Sequence, residues 1–191
     1  MITTSVAEAA TFLKQGQVLA YPTEAVWGLG CDPHNEQAFH QILQLKQRPI
    51  EKGVILLAGH ISQVEHLLEA LTPEIRERVV ASWTNRSVSE RATTWLLPAS
   101  EDIPAWIKGN HPKVAVRVTT HPLCMALCQA FGGYIVSTSA NPAGLKPALS
   151  LQDAKQYFKE SESLNYLNGD LGLSQEPSKI IDAVTGEVIR A

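Results

Sequence analysis

Short apolar runs alternating with capped amphipathic segments constrain this chain more than any other feature. Val18–Tyr21, Gly53–Ala58 (GVILLA), Thr94–Leu97, Val114–Val118 and Tyr134–Ser137 are too short for helices and read as buried strands. Between them stand helical segments with start and stop signals. Ser5 followed by Glu8 fits a capping box ahead of the stripe Val6, Ala9, Ala10 and Leu13, and Gly16 stops it. Asn35 caps a second helix through Lys46, with Phe39, Ile42 and Leu43 on one face; Arg48-Pro49 ends it. Thr72-Pro73 opens a third helix, running to about Ser82. His121-Pro122 opens a fourth that Gly132-Gly133 closes, and Ser150 with Asp153 starts a short fifth. Thr23–Gly30 reads as a loop with two glycines. Thr185-Gly186 reads as a hairpin turn between Lys179–Ala183 and Glu187–Arg190. This interleaving predicts an α/β fold on a twisted, mixed open sheet with flanking helices. No internal repeat, low-complexity tract or Pro/Gly/Ser-rich linker interrupts it. Residues 1–191 therefore read as a single domain whose polar C-terminal part forms a lid or an edge.

Composition narrows the function classes. With 191 residues, 45% of them hydrophobic, the chain can build a core without disulfide or metal staples. Sixteen Lys and Arg face 19 Asp and Glu, a net charge of −3, which excludes a globally basic nucleic-acid or membrane-surface binder. A local basic patch stays open. Cys31, Cys124 and Cys128 are too few for a disulfide framework, and the i,i+4 pair Cys124 and Cys128 reads as core packing. No apolar run approaches the ~18 residues of a membrane span. Met1–Ala10 lacks the basic region and long apolar stretch of a signal peptide. A reducing, cytoplasmic location is the expectation.

Polar residues gather where the strands end, the usual ligand position in open α/β sheets. After the first strand, Pro22-Thr23-Glu24 is expected to expose a hydroxyl and a carboxylate, although turn geometry alone explains such residues. Lys46, Arg48 and Lys52 suit a triphosphate and equally suit the C-terminal dipole of the preceding helix. Ser137, Thr138, Ser139 and Asn141 follow an apolar strand and offer donors to phosphate, carboxylate or metal-bound water. Arg117 ends the apolar strand KVAVRV, where a cation is costly unless exposed or paired, and it is read as facing a ligand. Ser178 and Arg190 add to the candidates. Trp27 is a candidate pocket wall, and Trp83, Trp95 and Trp106 read as core or rim. Phosphate-loop, dinucleotide-binding, H-E-x-x-H and zinc-ribbon patterns are absent, and the histidines are scattered. No metal site is assigned.

Taken in order, Tyr21-Pro-Thr-Glu-Ala-Val-Trp-Gly-Leu-Gly30, Leu45-Lys-Gln-Arg-Pro49 with Lys52-Gly53, Val116-Arg117-Val118, Ser137-Thr-Ser-Ala-Asn141 and Pro177-Ser178 resemble the YrdC/TsaC family of threonylcarbamoyl-AMP synthases. The likeness spans nearly the whole chain and is greatest to the short, single-domain bacterial form. It implies a twisted α/β sheet around a concave, positively lined ligand cavity. It implies that L-threonine, bicarbonate and ATP give L-threonylcarbamoyladenylate and pyrophosphate. Partner proteins then pass the threonylcarbamoyl group to the adenosine beside the anticodon of tRNA. Among the residues, the resemblance implies Lys46 and Arg48 as the catalytic pair, holding the triphosphate with Lys52. Ser137, Ser139 and Asn141 would take phosphate oxygens or other polar groups of the ligands. Arg117, with Thr23 and Ser137, would bind threonine, and Ser178 and Arg190 would close over the nucleotide. Mg2+ would bridge phosphates and keep several waters.

One segment departs from the family. Its usual Trp-Pro-Gly-Pro turn is replaced after Trp83 by Thr84–Ala92, about six residues longer than a short connection needs. Two competing readings follow: a double-stranded RNA-binding module using Lys46, Arg48, Lys52 and Arg117, and a catalytically weakened paralogue.

Overall fold

Alternation along each strand sorts the apolar side chains onto two faces of one sheet. The computed structural model describes residues 1–87, 89–161 and 163–191. Val88, inside the departing Thr84–Ala92 segment, lies outside the described residues. The strands are β1 (Ile2–Thr3), β2 (Leu19–Pro22), β3 (Trp27–Gly30), β4 (Ile55–Ala58), β5 (Thr93–Pro98), β6 (Lys113–Val118), β7 (Ile135–Ser139), β8 (Asn165–Leu167), β9 (Lys179–Asp182) and β10 (Val188–Arg190). They form a ten-stranded sheet in the order β1-β8-β2-β3-β7-β4-β6-β5-β9-β10. Pairing is mixed, as expected. For example, β4–β6 and β5–β9 are parallel, whereas β3–β7, β4–β7 and β5–β6 are antiparallel.

The helices are α1 (Val6–Lys14), α2 (Glu36–Lys46), α3 (Pro73–Thr84), α4 (Ala105–Lys108), α5 (Pro122–Phe131) and α6 (Leu151–Tyr157). The four side-chain caps read from the sequence are in place. Ser5 accepts from Glu8 N at 3.3 Å, Asn35 from Ala38 N at 2.9 Å, Thr72 from Ile75 N at 3.5 Å and Ser150 from Asp153 N at 3.0 Å.

One face carries Ala20, Leu56, Leu97, Val114, Val116 and Val136, buried together with Phe39 and Ile42 of α2, Val79 and Trp83 of α3 and Ala154 of α6. The other carries Leu19, Tyr21, Leu57 and Ile135 beneath α1 and α5, with Cys124 and Cys128 in that core. Among the described residues α1 and α5 cover this second face near β8, β2 and β4. Cys31, Cys124 and Cys128 are buried free thiols. Trp83 and Trp95 are core residues, and Trp106 packs at the core's margin.

The reading of Thr23–Gly30 as a loop is corrected, because Trp27–Gly30 is strand β3 between β2 and β7. Its glycines are there for close packing rather than for a turn. A Cβ on Gly30 would stand 2.4 Å from Val136 O and 2.9 Å from the Tyr21 ring. β1 and β8 are too short to leave a hydrophobic pattern, and they pair with each other in parallel. The C-terminal hairpin β9–β10 forms one edge of the sheet, as anticipated.

Gly30→Ala is expected to destabilise the fold by about 2 kcal/mol or more through this overlap. Gly133→Ala, where a Cβ meets nothing within 4 Å, should stay within ~0.5 kcal/mol. Urea unfolding of the two variants checks the contrast.

Candidate functional site

Beyond the reach of α1 and α5, the second face of the sheet is bare and lines a cavity of about 510 Å³. Its floor is one row of register partners across five strands. Asp182 of β9 pairs with Leu96 of β5, Leu96 with Ala115 of β6, Ala115 with Ile55 of β4, and Ile55 with Ser137 of β7. Period-two alternation then adds Arg117 two residues beyond Ala115, and Ser139 two beyond Ser137. The site expected at strand ends therefore lies across a sheet face. The helices leave that face open, and the turn Thr23–Val26 closes one side of it.

The structure brings Thr23, Arg48, Lys52, Arg117, Ser137, Ser139, Ser178 and Arg190 together on the cavity wall, with Trp27 beside them. Lys46 and Asn141 are not on that wall. α2 ends at Lys46, and Gln47 turns left-handed at φ 50°, so Lys46 and Arg48 diverge. The Lys46 ammonium is buried against the carbonyls of Ser139 and Asn141, the latter at 3.0 Å. Burial first, and the charge of Arg48 second, push its pKa down to about 8. Arg48 instead donates to Gly53 O at 2.9 Å, and its guanidinium faces the cavity.

The Pro22-Thr23-Glu24 turn does not expose its polar groups, contrary to the sequence reading. Thr23 Oγ1 donates to Val26 O at 2.7 Å. Glu24, only 2% exposed, accepts from Thr119 Oγ1 at 2.8 Å and stands 3.2 Å from Arg117 Nη1 and 3.5 Å from Arg86 Nη2. Burial raises the Glu24 carboxyl. The charge of Arg117, the Thr119 hydroxyl, the turn's own backbone and Arg86 outweigh it and hold the group below its ordinary range. Glu24 is thus tied to the cavity through Arg117, and its partners were not legible locally because Arg86 and Arg117 come from distant segments. Arg117 does not donate a hydrogen bond from its guanidinium among the described residues; its contact with Glu24 is an ion pair.

Positive charge is in excess around the cavity. Burial, and then the charges of Arg91, Arg117 and Arg48, lower the pKa of Arg190. Arg190 donates to Ser178 O from Nε at 3.1 Å and from Nη2 at 2.5 Å. The wall's one carboxylate among the described residues, Asp182, is engaged by Lys113. No group of three His, Cys, Asp or Glu side chains among the described residues is placed to hold a metal ion. Such a wall suits an anionic ligand, and a divalent cation fits it only when carried by that anion.

A carboxylate with a depressed pKa stabilises the fold fully above its unfolded value, 4.5, and progressively less as pH falls toward its folded value. Glu24→Gln leaves two arginines uncompensated and is expected to cost about 3 kcal/mol at pH 7. The gap from the wild type should hold down to pH near 4.5 and narrow below it. Urea titrations at neutral and acid pH measure this.

Comparisons with known proteins agree with the fold. A family described as Sua5/YciO/YrdC, telomere recombination, matches residues 11–191. The threonylcarbamoyl-AMP synthase of Acinetobacter baumannii (strain AYE) is 74% identical over 190 residues, covering 100% of both chains. That of Psychrobacter arcticus is 49% identical over 208 aligned positions, covering 100% of this chain and 97% of the relative. The solved structure of P. abyssi Sua5 complexed with L-threonine superposes with a TM-score of 0.79 at 28% identity over 93% of this chain. This chain spans about half, 50%, of that Sua5 chain. No helix among the described residues is long and apolar enough to cross a membrane. By the extent of the family match and the full-length identity of these relatives, the chain belongs to the Sua5/YciO/YrdC family.

Proposed function

We propose that this protein is a threonylcarbamoyl-AMP synthase. It joins L-threonine, bicarbonate and ATP into L-threonylcarbamoyladenylate with release of pyrophosphate. The product supplies the threonylcarbamoyl group for N6-threonylcarbamoyladenosine next to the tRNA anticodon, through downstream transfer proteins in the cytoplasm. The observation that carries this reading is the convergence of Arg48, Lys52, Arg117 and Arg190 on one cavity, whose one wall carboxylate among the described residues is already engaged. The relatives named threonylcarbamoyl-AMP synthase, and the threonine complex of P. abyssi Sua5, support it.

The chemistry needs positioning and charge neutralisation more than a covalent enzyme intermediate. The threonine amine combines with bicarbonate, losing water, to give a carbamate. A carbamate oxygen attacks the α-phosphorus of ATP, and the bond to pyrophosphate breaks. Arg48, Lys52 and Arg190 surround the triphosphate, and Ser137, Ser139 and Ser178 donate to its oxygens. Arg117, free to donate, takes the threonine carboxylate near Thr23. Lys46 acts through the strand end, holding Ser139 and Asn141 in place. Mg2+ would be held by the ATP phosphates rather than by side chains of this protein, and would supply charge neutralisation there. The RNA-binding alternative is less well supported. These cations turn into one concavity rather than along a surface, and the net charge is −3.

Purified protein with ATP, Mg2+, bicarbonate and L-threonine should form threonylcarbamoyladenylate, read by mass spectrometry, and none when threonine is omitted. Threonine-independent turnover, or no product from folded protein, refutes the proposal. Arg117→Met should raise the KM for threonine about 10- to 100-fold with a smaller effect on ATP, and Arg48→Met should do the reverse, as for loss of one charge-assisted contact.

A further inference from the structure

The segment that departs from the family pattern is wired into the cavity. Arg86, whose side chain is 5% exposed, reaches from it to the Glu24 turn. Its Nη2 donates to Thr120 Oγ1 at 2.7 Å and stands 3.5 Å from Glu24 Oε1, while its Nη1 donates to Glu90 O at 2.6 Å within its own segment. Arg91, five residues on, donates to Pro177 O at 2.6 Å and pairs with Glu176 at 2.9 Å, next to the cavity residue Ser178. The segment thus touches both the amino-acid side and the hairpin side of the site.

The Glu24 contacts are divided. Arg86 and Thr119 engage Oε1, and Arg117 faces Oε2. Arg86 does not line the cavity, whereas Arg117 does. Two guanidiniums sharing one carboxylate carry a net charge of +1. Thr119, at 2.8 Å from Oε1, keeps Glu24 from closing on Arg117 as a two-point fork, the geometry that such pairs favour, and Arg86, at 3.5 Å, draws off part of the carboxylate's charge. Arg117 therefore retains both positive charge and unused donors toward the cavity.

We infer that Arg86 is a positioning residue for carboxylate binding. It holds Glu24 so that Arg117 is aimed and left electrostatically free for the α-carboxylate of the amino-acid substrate. This rests on the reading of Arg117 given under the proposed function. Without Arg86 the remaining pair is neutral, and Glu24 competes with the substrate for the Arg117 guanidinium. The replaced turn is then no passive insertion, since its arginine takes part in setting substrate affinity.

The test compares Arg86→Gln, which removes the charge, with Arg86→Lys, which keeps it, in full-length protein with wild type assayed in parallel. The KM values for threonine and ATP, kcat and thermal unfolding are read for each. Arg86→Gln is expected to raise the threonine KM about tenfold, the scale of one partly screened unit charge behind the contact. The ATP KM and kcat should stay within about twofold, and Arg86→Lys should bring the threonine KM back to within about threefold of wild type. An unchanged threonine KM overturns the inference. So do equal rises in both KM values, or a lysine variant no better than the glutamine one. If Arg86→Gln does not fold, Arg86→Lys decides alone: a threonine KM within about threefold of wild type supports the charge role, and a larger rise overturns it. A wild type that makes no threonine-dependent product overturns both this inference and the reading beneath it. A wild type that turns over beside a glutamine variant with unchanged threonine KM overturns the inference alone.

Discussion

A carboxylate with almost no solvent exposure must be compensated or protonated, and Glu24 is compensated by three side chains from two stretches of chain. Thr119 follows β6, Arg117 lies within β6, and Arg86 comes from the segment after α3. Glu24 itself sits in the turn between β2 and β3, so its charge ties that turn to strands on the other side of β7. Further backbone bonds lock the same turn: Gly172 N donates to Thr23 O at 2.9 Å, and Ser174 N to Glu24 O at 3.1 Å. The side of the cavity is thus fixed by a buried ion network. Such networks are most sensitive to loss of the shared partner, because without Glu24 two guanidiniums are left uncompensated in low dielectric.

The cavity follows from the unequal covering of the sheet. α1 and α5 shield the second face over Leu19, Tyr21, Leu57 and Ile135, and over β6, β5 and β9 it is left to the cavity, with Ile107 and Lys108 of the short α4 on the wall. Bare sheet would normally be a liability, but the row Asp182, Leu96, Ala115, Ile55 and Ser137 is short and partly polar. It is overhung by arginines from three elements. Those arginines repel one another, and after burial this repulsion helps to lower the pKa of Arg190. A fold optimised for stability alone would not gather them. An anionic ligand relieves the repulsion, so the same charges that weaken the free protein supply binding energy when the substrate enters.

Much of the frame was legible because it is local. Caps, proline starts and short apolar runs act within a few residues, and α1, α2, α3, α5 and α6 appear where those signals place them. β3 was not legible. Gly28 and Gly30 resemble turn residues until Val136 and Tyr21 are seen pressing against the backbone at Gly30. The residues gathered at the cavity were already visible as polar groups beside apolar runs, but not their arrangement. A row through five strands depends on sheet order, which no local pattern encodes. Glu24 was hidden for the same reason, with partners 62 and 95 positions away for Arg86 and Thr119.

Lys46 and Arg48 show how local backbone geometry separates two residues that look alike in sequence. With Lys46 as the last helical residue and Gln47 left-handed, Arg48 leaves the helix axis, and the two cations point to different tasks. Lys46 offers three N–H donors on a flexible stem, which suits carbonyls converging from Ser139 and Asn141. Arg48 offers a planar fork, with one terminal nitrogen held by Gly53 O, and it lines the cavity. Exchanging the two would fail at both positions. A fork at 46 would overfill the space around the strand end, and a lone ammonium at 48 would lose either the Gly53 anchor or its reach to the ligand. The pair is therefore a division of labour, in which one cation builds the wall that the other uses.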